Sequence, residues 1–267
     1  MTLPDVPDTF TWIDEPSGAA LRCEPLAAVA PHLFATRQLE LPTFAASQLQ
    51  RDSALAPLAQ AITSGNLVLL AQVHGNEVVA IRHGSPPQAE RPRADGVVSD
   101  ARGIAIAVRV ADCVPLLIGD ATTGAVAAVH AGWRGTAARV APAAIAVMQR
   151  EFGTRTEDLV VAIGPSIRRC CYEVGSDVVD VFAAAGHERY LIDRWFLNPP
   201  VRRGADRPKL RLDVSGANRD QLILAGVREE NVYDCGLCTA MHLDVLTSYR
   251  AEKDKAVRIA GVIRARS

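Results

Sequence analysis

Three side chains able to bind a metal or act as nucleophiles each close an apolar, strand-like run. His74 follows residues 67–73 and precedes Gly75. Cys113 follows the run 104–110 and the pair Ala111-Asp112. His130 ends the run 124–129 and opens Ala131-Gly132-Trp133-Arg134-Gly135. Strand ends are where side chains from distant parts of a chain can meet. Two imidazoles and one thiolate suit Zn²⁺ or another borderline cation, and three protein ligands leave a fourth position for water or substrate. The three residues are far apart and follow no short ligand motif. On spacing alone the commoner reading is a small core cysteine and two hydrogen-bonded histidines.

Segment 130–136 carries a second signal. Gly132 and Gly135 flank Trp133-Arg134, and glycines let backbone approach a ligand closely. A helix starting here would offer free N–H groups to an anion. The Arg134 guanidinium fork fits phosphate or carboxylate. The alternative is a tight turn with a solvated arginine. Asp112, beside Cys113, can orient a ligand histidine, although neighbouring side chains of an extended segment face opposite ways. Cys235-Gly236-Leu237-Cys238 is a CxxC and Cys170-Cys171 a vicinal pair. Together they suggest a four-cysteine zinc site, but adjacent cysteines chelate one ion poorly and no second CxxC exists. Cys23, His32, His83, His187 and His242 show no partner pattern.

The elements that must position these groups alternate along the chain. Val- and Ile-rich runs at 67–73, 94–98, 104–110, 114–118, 124–130 and 158–163 predict strands, and 256–264 predicts a strand with one wetter face. A helix is predicted over 136–151, with Thr136 as its cap and Pro142 in its first turns or at a kink. Weaker helices are expected at 46–62, 176–184 and 215–225. Proline-rich loops are expected at 84–93 and 198–208. Several strands arrive consecutively around 94–130, which argues for a mixed or antiparallel sheet and an α+β fold. No composition shift divides the chain, so one domain over 1–267 is expected.

Composition narrows the function. The 267 residues hold 29 Lys+Arg against 30 Asp+Glu, a net charge of −1, with 49% hydrophobic residues. A basic nucleic-acid groove needs clustered excess cations, so no nucleic-acid partner is expected. The longest charge-free stretch, 53–76, is interrupted by Pro57 and by Thr63-Ser64-Gly65-Asn66, so no membrane span is expected either. Residues 1–12 carry Asp5 and Asp8 and no basic run, unlike a secretory signal. A cytoplasmic location with reduced thiols is the expectation.

Nine segments, in order, carry a family resemblance: Gln72-Val73-His74-Gly75, Ala94-Asp95-Gly96, Ala111-Asp112-Cys113-Val114-Pro115, His130-Ala131-Gly132-Trp133-Arg134-Gly135-Thr136, Ile163-Gly164-Pro165-Ser166-Ile167, Cys171-Tyr172-Glu173-Val174, Asn218-Arg219-Asp220-Gln221-Leu222, Cys238-Thr239 and Ser248-Tyr249-Arg250. The chain resembles the bacterial YfiH-type proteins, also called laccase-domain or polyphenol oxidase proteins and peptidoglycan editing factors, from about residue 67 to its end. Roughly the first 60 residues depart. Where the family has a Ser-Thr-Arg followed by a glycine-rich stretch, this chain keeps Ala35-Thr36-Arg37, and a typical Gly-Arg near the C-terminus is Val257-Arg258.

The resemblance implies an α/β/β/α layered fold with two mixed sheets and a zinc triad of His74, Cys113 and His130, with copper as a less favoured occupant. It implies purine nucleoside chemistry. Related proteins cleave adenosine, inosine, guanosine and methylthioadenosine with phosphate, and some deaminate adenosine. Purine nucleoside and phosphate would then be the ligands of a monomer, with Arg134 and Arg37 as phosphate- or substrate-binding cations and Asp112 behind the ligands. A multicopper oxidase needs a trinuclear cluster and a separate electron-transfer copper, which six histidines without a His-x-His pair do not fill. The alternative enzyme class is an amide hydrolase editing a peptidoglycan precursor, with Cys113 as a nucleophile activated by histidine. A third class is a metal-dependent partner protein with no turnover.

Overall fold

The structure is a computed structural model that describes residues 2–16, 18–39, 57–58, 60–62, 66–84, 91–197 and 210–266. Most of the expected helix at 46–62, residues 85–90 of the first proline-rich loop and all of the second lie outside the described residues. Two six-stranded mixed sheets form the frame. The first runs β1 (Phe10–Glu15), β2 (Gly18–Cys23), β3 (His32–Ala35), β15 (Ile259–Arg264), β7 (Ile104–Val110) and β4 (Asn66–Leu69). The second runs β14 (Val232–Asp234), β10 (Leu159–Ile163), β8 (Val114–Asp120), β9 (Val126–Ala131), β6 (Gly96–Ser99) and β5 (Val78–Ile81). In each sheet the pairs are antiparallel, apart from β4 with β7 in the first and β5 with β6 and β10 with β14 in the second. A small antiparallel sheet of β11 (Glu173–Val174), β13 (Leu210–Leu212) and β12 (Phe196–Leu197) was not legible in the sequence.

Three apolar layers explain why the strands are apolar on both faces. Between the sheets pack Leu21, Phe34, Ile106 and Val108 of the first and Val97, Leu117 and Ala128 of the second. Leu58 and Ile62 cover the outer face of the first sheet, against Leu33, Ala105 and Val262. Helices cover the outer face of the second. With residues 57–58 and 60–61 helical, the order is the expected α/β/β/α. Strands buried on both faces lose the polar alternation that would mark a half-wet sheet, which is why β7 and β8 read as continuous Val-, Ile- and Leu-rich runs.

The helices are α1 (Glu24–Ala27), α2 (Trp133–Ala137), α3 (Val140–Phe152), α4 (Ser176–Ala184), α5 (Arg189–Trp195), α6 (Val214–Leu224) and α7 (Tyr249–Glu252). Helix α3 buries Val140, Ala141, Ala144, Ile145 and Met148 on one stripe, each large side chain contributing about 1.5–3 kcal/mol.

The single helix predicted over 136–151 is two helices. Gly132 precedes α2 in extended conformation, Thr136 lies inside it, and Arg139 breaks the run at φ 61°. The Arg139 guanidinium donates to the carbonyls of Ala185 and Gly186, a tertiary fixture for an otherwise disfavoured backbone. Pro142 falls in the first turn of α3, where no N–H is needed. The strand expected at 67–73 stops at Leu69. The following segment leaves the sheet toward the site, with Ala71 N–H bonded to the Pro92 carbonyl.

Candidate metal centre

Sheet register brings distant residues to one end of the second sheet. In the β8–β9 ladder Val114 faces Ala131 and Pro115 faces His130, so Cys113 comes in beside Gly132. A Cβ on Gly132 would stand 2.9 Å from the Cys113 Sγ, so only glycine leaves the thiol its place. In the β6–β9 ladder Gly96 faces Val129, which brings Asp95 alongside His130. The His130 N–H donates to the Asp95 carbonyl at 2.7 Å.

His74 comes from the other sheet, on the segment after β4. The Gln72 side chain guides that segment by pairing with both backbone groups of Arg109. Its Nε2 donates to the Arg109 carbonyl at 2.8 Å, and its Oε1 accepts from the Arg109 N–H at 2.9 Å. The backbone then turns at His74 with φ 62°. Three successive N–H groups, of Val73, His74 and Gly75, donate to the Asp95 carboxylate at 3.2, 2.9 and 2.6 Å. The same carboxylate accepts from His130 Nδ1 at 2.8 Å.

The ligand atoms of His74, Cys113 and His130 all lie within 4.8 Å of one another. The imidazoles meet edge to face with centroids 4.9 Å apart. With Nδ1 of His130 bonded to Asp95, its Nε2 is left to face the other two donors, the carboxylate–histidine arrangement that fixes tautomer and aim in metal sites. One thiol and two imidazoles fit a borderline cation, since bonds of about 2.0–2.3 Å need donors about 3.3–3.8 Å apart. The bare Gly132 keeps that space open.

Electrostatics agree. Burial opposes ionisation of Cys113, but the charge of His130 and hydrogen bonds from both histidines outweigh it and bring the thiol down to about 6. Burial likewise opposes charging His130, and the Cys113 thiolate with Asp95 pushes it up to about 9. Asp95 is held below the usual carboxylate range despite burial, by hydrogen bonds from His130 and the Gly75 N–H.

The remaining predicted residues disperse. Asp112 does not touch the histidines. At φ 91° its carboxylate accepts from the Thr239 hydroxyl and the Arg250 N–H, both at 2.6 Å. The hydrogen bond to a triad histidine expected of it is made by Asp95. Arg134 is exposed, its guanidinium 4.2 Å from the Trp133 ring centroid. Arg37 is committed elsewhere, donating to the carbonyls of Leu243 and Leu246 and pairing with Glu252 at 3.2 Å.

Further residues support the segments that carry the triad. Burial and the nearby Cys113 charge raise the Tyr172 phenol, against the opposing charges of Arg250 and Arg134. Arg250 lies 5.3 Å from the Tyr172 ring. Asn218 and Gln221 of α6 bond the Thr136 hydroxyl and carbonyl at 2.9 and 3.0 Å and so seat α2. Gly135 passes so near Gly75 that an added Cβ would meet its carbonyl at 2.8 Å. For Tyr172, Asn218, Gln221 and Arg250, a place inside the motifs that carry the resemblance was the one sequence signal.

Residues 46–266 match the family described as multi-copper polyphenol oxidoreductase laccase. A protein of Synechocystis sp. named purine nucleoside phosphorylase is 35% identical, covering 98% of this chain and 99% of that protein. A protein named adenosine deaminase RL5, from an unknown prokaryotic organism, is 35% identical over 65% of each chain. The crystal structure of YlmD from Geobacillus stearothermophilus superposes with a TM-score of 0.82 at 27% identity, covering 98% of this chain and all (100%) of that one.

Proposed function

The chain belongs to the laccase-domain, YfiH-type family, and from that premise we propose that it is a zinc-dependent purine nucleoside phosphorylase. The observation that carries this reading is the convergence of His74, Cys113 and His130, in a chain alike over its whole length to a protein of that name. The multi-copper part of the family's description does not suit this donor set. Among the described residues a single group contains imidazoles, and it offers three ligand atoms, enough for one ion.

His74, Cys113 and His130 would hold the cation, which when bound supplies Lewis-acid polarisation of a substrate atom. The chain's own groups divide the rest. Asp95 fixes His130 and the turn carrying His74. Arg134 presents a forked donor to phosphate. Tyr172 keeps its proton and offers a hydrogen bond at its hydroxyl.

A second reading, adenosine deamination, is favoured by the relative named adenosine deaminase. A third rests on the line Cys113, His130, Asp95, the order of nucleophile, base and orienting carboxylate in a cysteine hydrolase. Chromatography of adenosine incubated with zinc-loaded protein separates them. Phosphate-dependent adenine is expected, with Cys113→Ala lowering kcat/KM by more than about 100-fold, beyond the effect of outer ligand partners. Inosine without phosphate would favour deamination. Neither product from zinc-loaded protein would overturn the nucleoside reading and favour the hydrolase.

A further inference from the structure

Three other thiols converge away from the triad. The Sγ atoms of Cys170, Cys171 and Cys238 all lie within 4.8 Å of one another, with Cys170 and Cys171 at 3.6 Å. Adjacent cysteines in an extended segment face opposite ways and chelate one ion poorly. Here a tight turn resolves this, because the Arg168 carbonyl accepts from the N–H groups of both Cys171 and Tyr172, and the two thiols end up close together. Cys235, the other half of the CxxC, is elsewhere, buried in the core between the sheets.

The trio rests on fixed backbone. Ser166 and Cys238 form a parallel bridge. The Ser166 N–H donates to the Leu237 carbonyl and the Thr239 N–H to the Ser166 carbonyl. Below the turn, Arg168 and Asp234 form a two-pronged ion pair with both bonds at 2.9 Å. Cys170 is exposed, which gives a route in from solvent, while Cys238 is buried.

We propose that Cys170, Cys171 and Cys238 form a second metal site, a trigonal thiolate site for the soft monovalent cation Cu(I). Metal–sulfur bonds of about 2.3 Å in a trigonal plane space the sulfurs by about 4 Å, compatible with the separations present. Soft thiolates select Cu(I), Zn²⁺ or iron–sulfur clusters, and of these Cu(I) accepts three ligands in a plane. Among the described residues no histidine, aspartate or glutamate joins the group, so a tetrahedral Zn²⁺ would lack a fourth protein ligand. Binding releases the thiol protons and clamps two segments that wall the triad. Tyr172 follows Cys171, and Thr239, which follows Cys238, bonds Asp112.

The test is an anaerobic Cu(I) titration of the full chain against a chromogenic Cu(I) chelator. It is done with Cys113→Ala, so that the triad lacks its thiol, and with the same protein also carrying Cys170→Ser and Cys171→Ser. One retained equivalent is expected in the first and none in the second, with X-ray absorption showing a sulfur-only shell. Cys170→Ser alone, at an exposed position, keeps the fold and should weaken retention at least tenfold. Equal retention with and without the Cys170 and Cys171 thiols, no retention in Cys113→Ala, or nitrogen in the metal shell would overturn the proposal.

Discussion

Asp95 is the residue on which the candidate centre turns. Its side chain accepts four hydrogen bonds, three from the turn holding His74 and one from His130, so one carboxylate aims both imidazoles. It also anchors the charge on His130 that stabilises the Cys113 thiolate. A depressed thiol pKa means the thiolate form is favoured by folding, and it persists until pH falls through about 6. The paired imidazolium persists until pH rises through about 9. In metal-free protein the ion pair is therefore complete between those limits. Iodoacetamide labelling of Cys113, followed by peptide mass spectrometry to separate it from the exposed Cys170, should rise with a midpoint near pH 6. Asp95→Asn should move the midpoint upward, and added Zn²⁺ should protect the thiol. A midpoint at the ordinary thiol value of 9.0 would show that the histidines do not act on Cys113.

At the scale of elements, the surroundings that a strand gives a histidine set its job. His32 at the start of β3 is the contrast to the triad. It is 4% exposed, accepts the Cys23 N–H at Nε2 and donates from Nδ1 to the Ala30 carbonyl. Burial lowers it to about 4. Between 6.5 and about 4 the unfolded chain takes up the proton and the folded chain does not, so stability falls as pH falls through that window. The loss at pH 5 relative to pH 7.5 should be about 2 kcal/mol. Urea unfolding of the wild type and His32→Gln at both values measures it: the variant should lose less by that amount, and parallel losses would remove His32 as the cause. Strand ends were also what made the triad legible in the sequence, because His74, Cys113 and His130 each interrupt an apolar run. Asp95 stood in the Ala94-Asp95-Gly96 segment, but its role was not legible, because its reach depends on the β6–β9 register. The break at Arg139 was hidden for a similar reason, since its hydrogen-bond partners lie on the loop after α4. The three thiols were half legible. The vicinal pair and the CxxC stood out, but the chain uses one cysteine of the CxxC beside the pair and buries the other.

Across the whole molecule, the centre joins the two sheets at a place where, among the described residues, no strand pairing does. His74 arrives from the end of β4 in the first sheet, and Cys113 and His130 belong to the end of the second, so a cation held by all three ties segments from two layers. A ligand that binds only the folded state stabilises it by about 2.7 kcal/mol at 100 times its dissociation constant. For a chain of this size that corresponds to a Tm increase of about 5–10 °C, at roughly 2–4 °C per kcal/mol. Differential scanning calorimetry should show this rise when Zn²⁺ is restored to chelator-stripped protein. The rise should disappear in His74→Ala, which removes the one ligand from the first sheet, and persist in Cys170→Ser, which leaves the triad whole. If His74→Ala keeps the full rise, the ion is held by the second sheet alone and the sheets are joined by their apolar interface without it. If Cys170→Ser abolishes the rise, the stabilising ion sits among the thiols, and the triad is the weaker of the two sites.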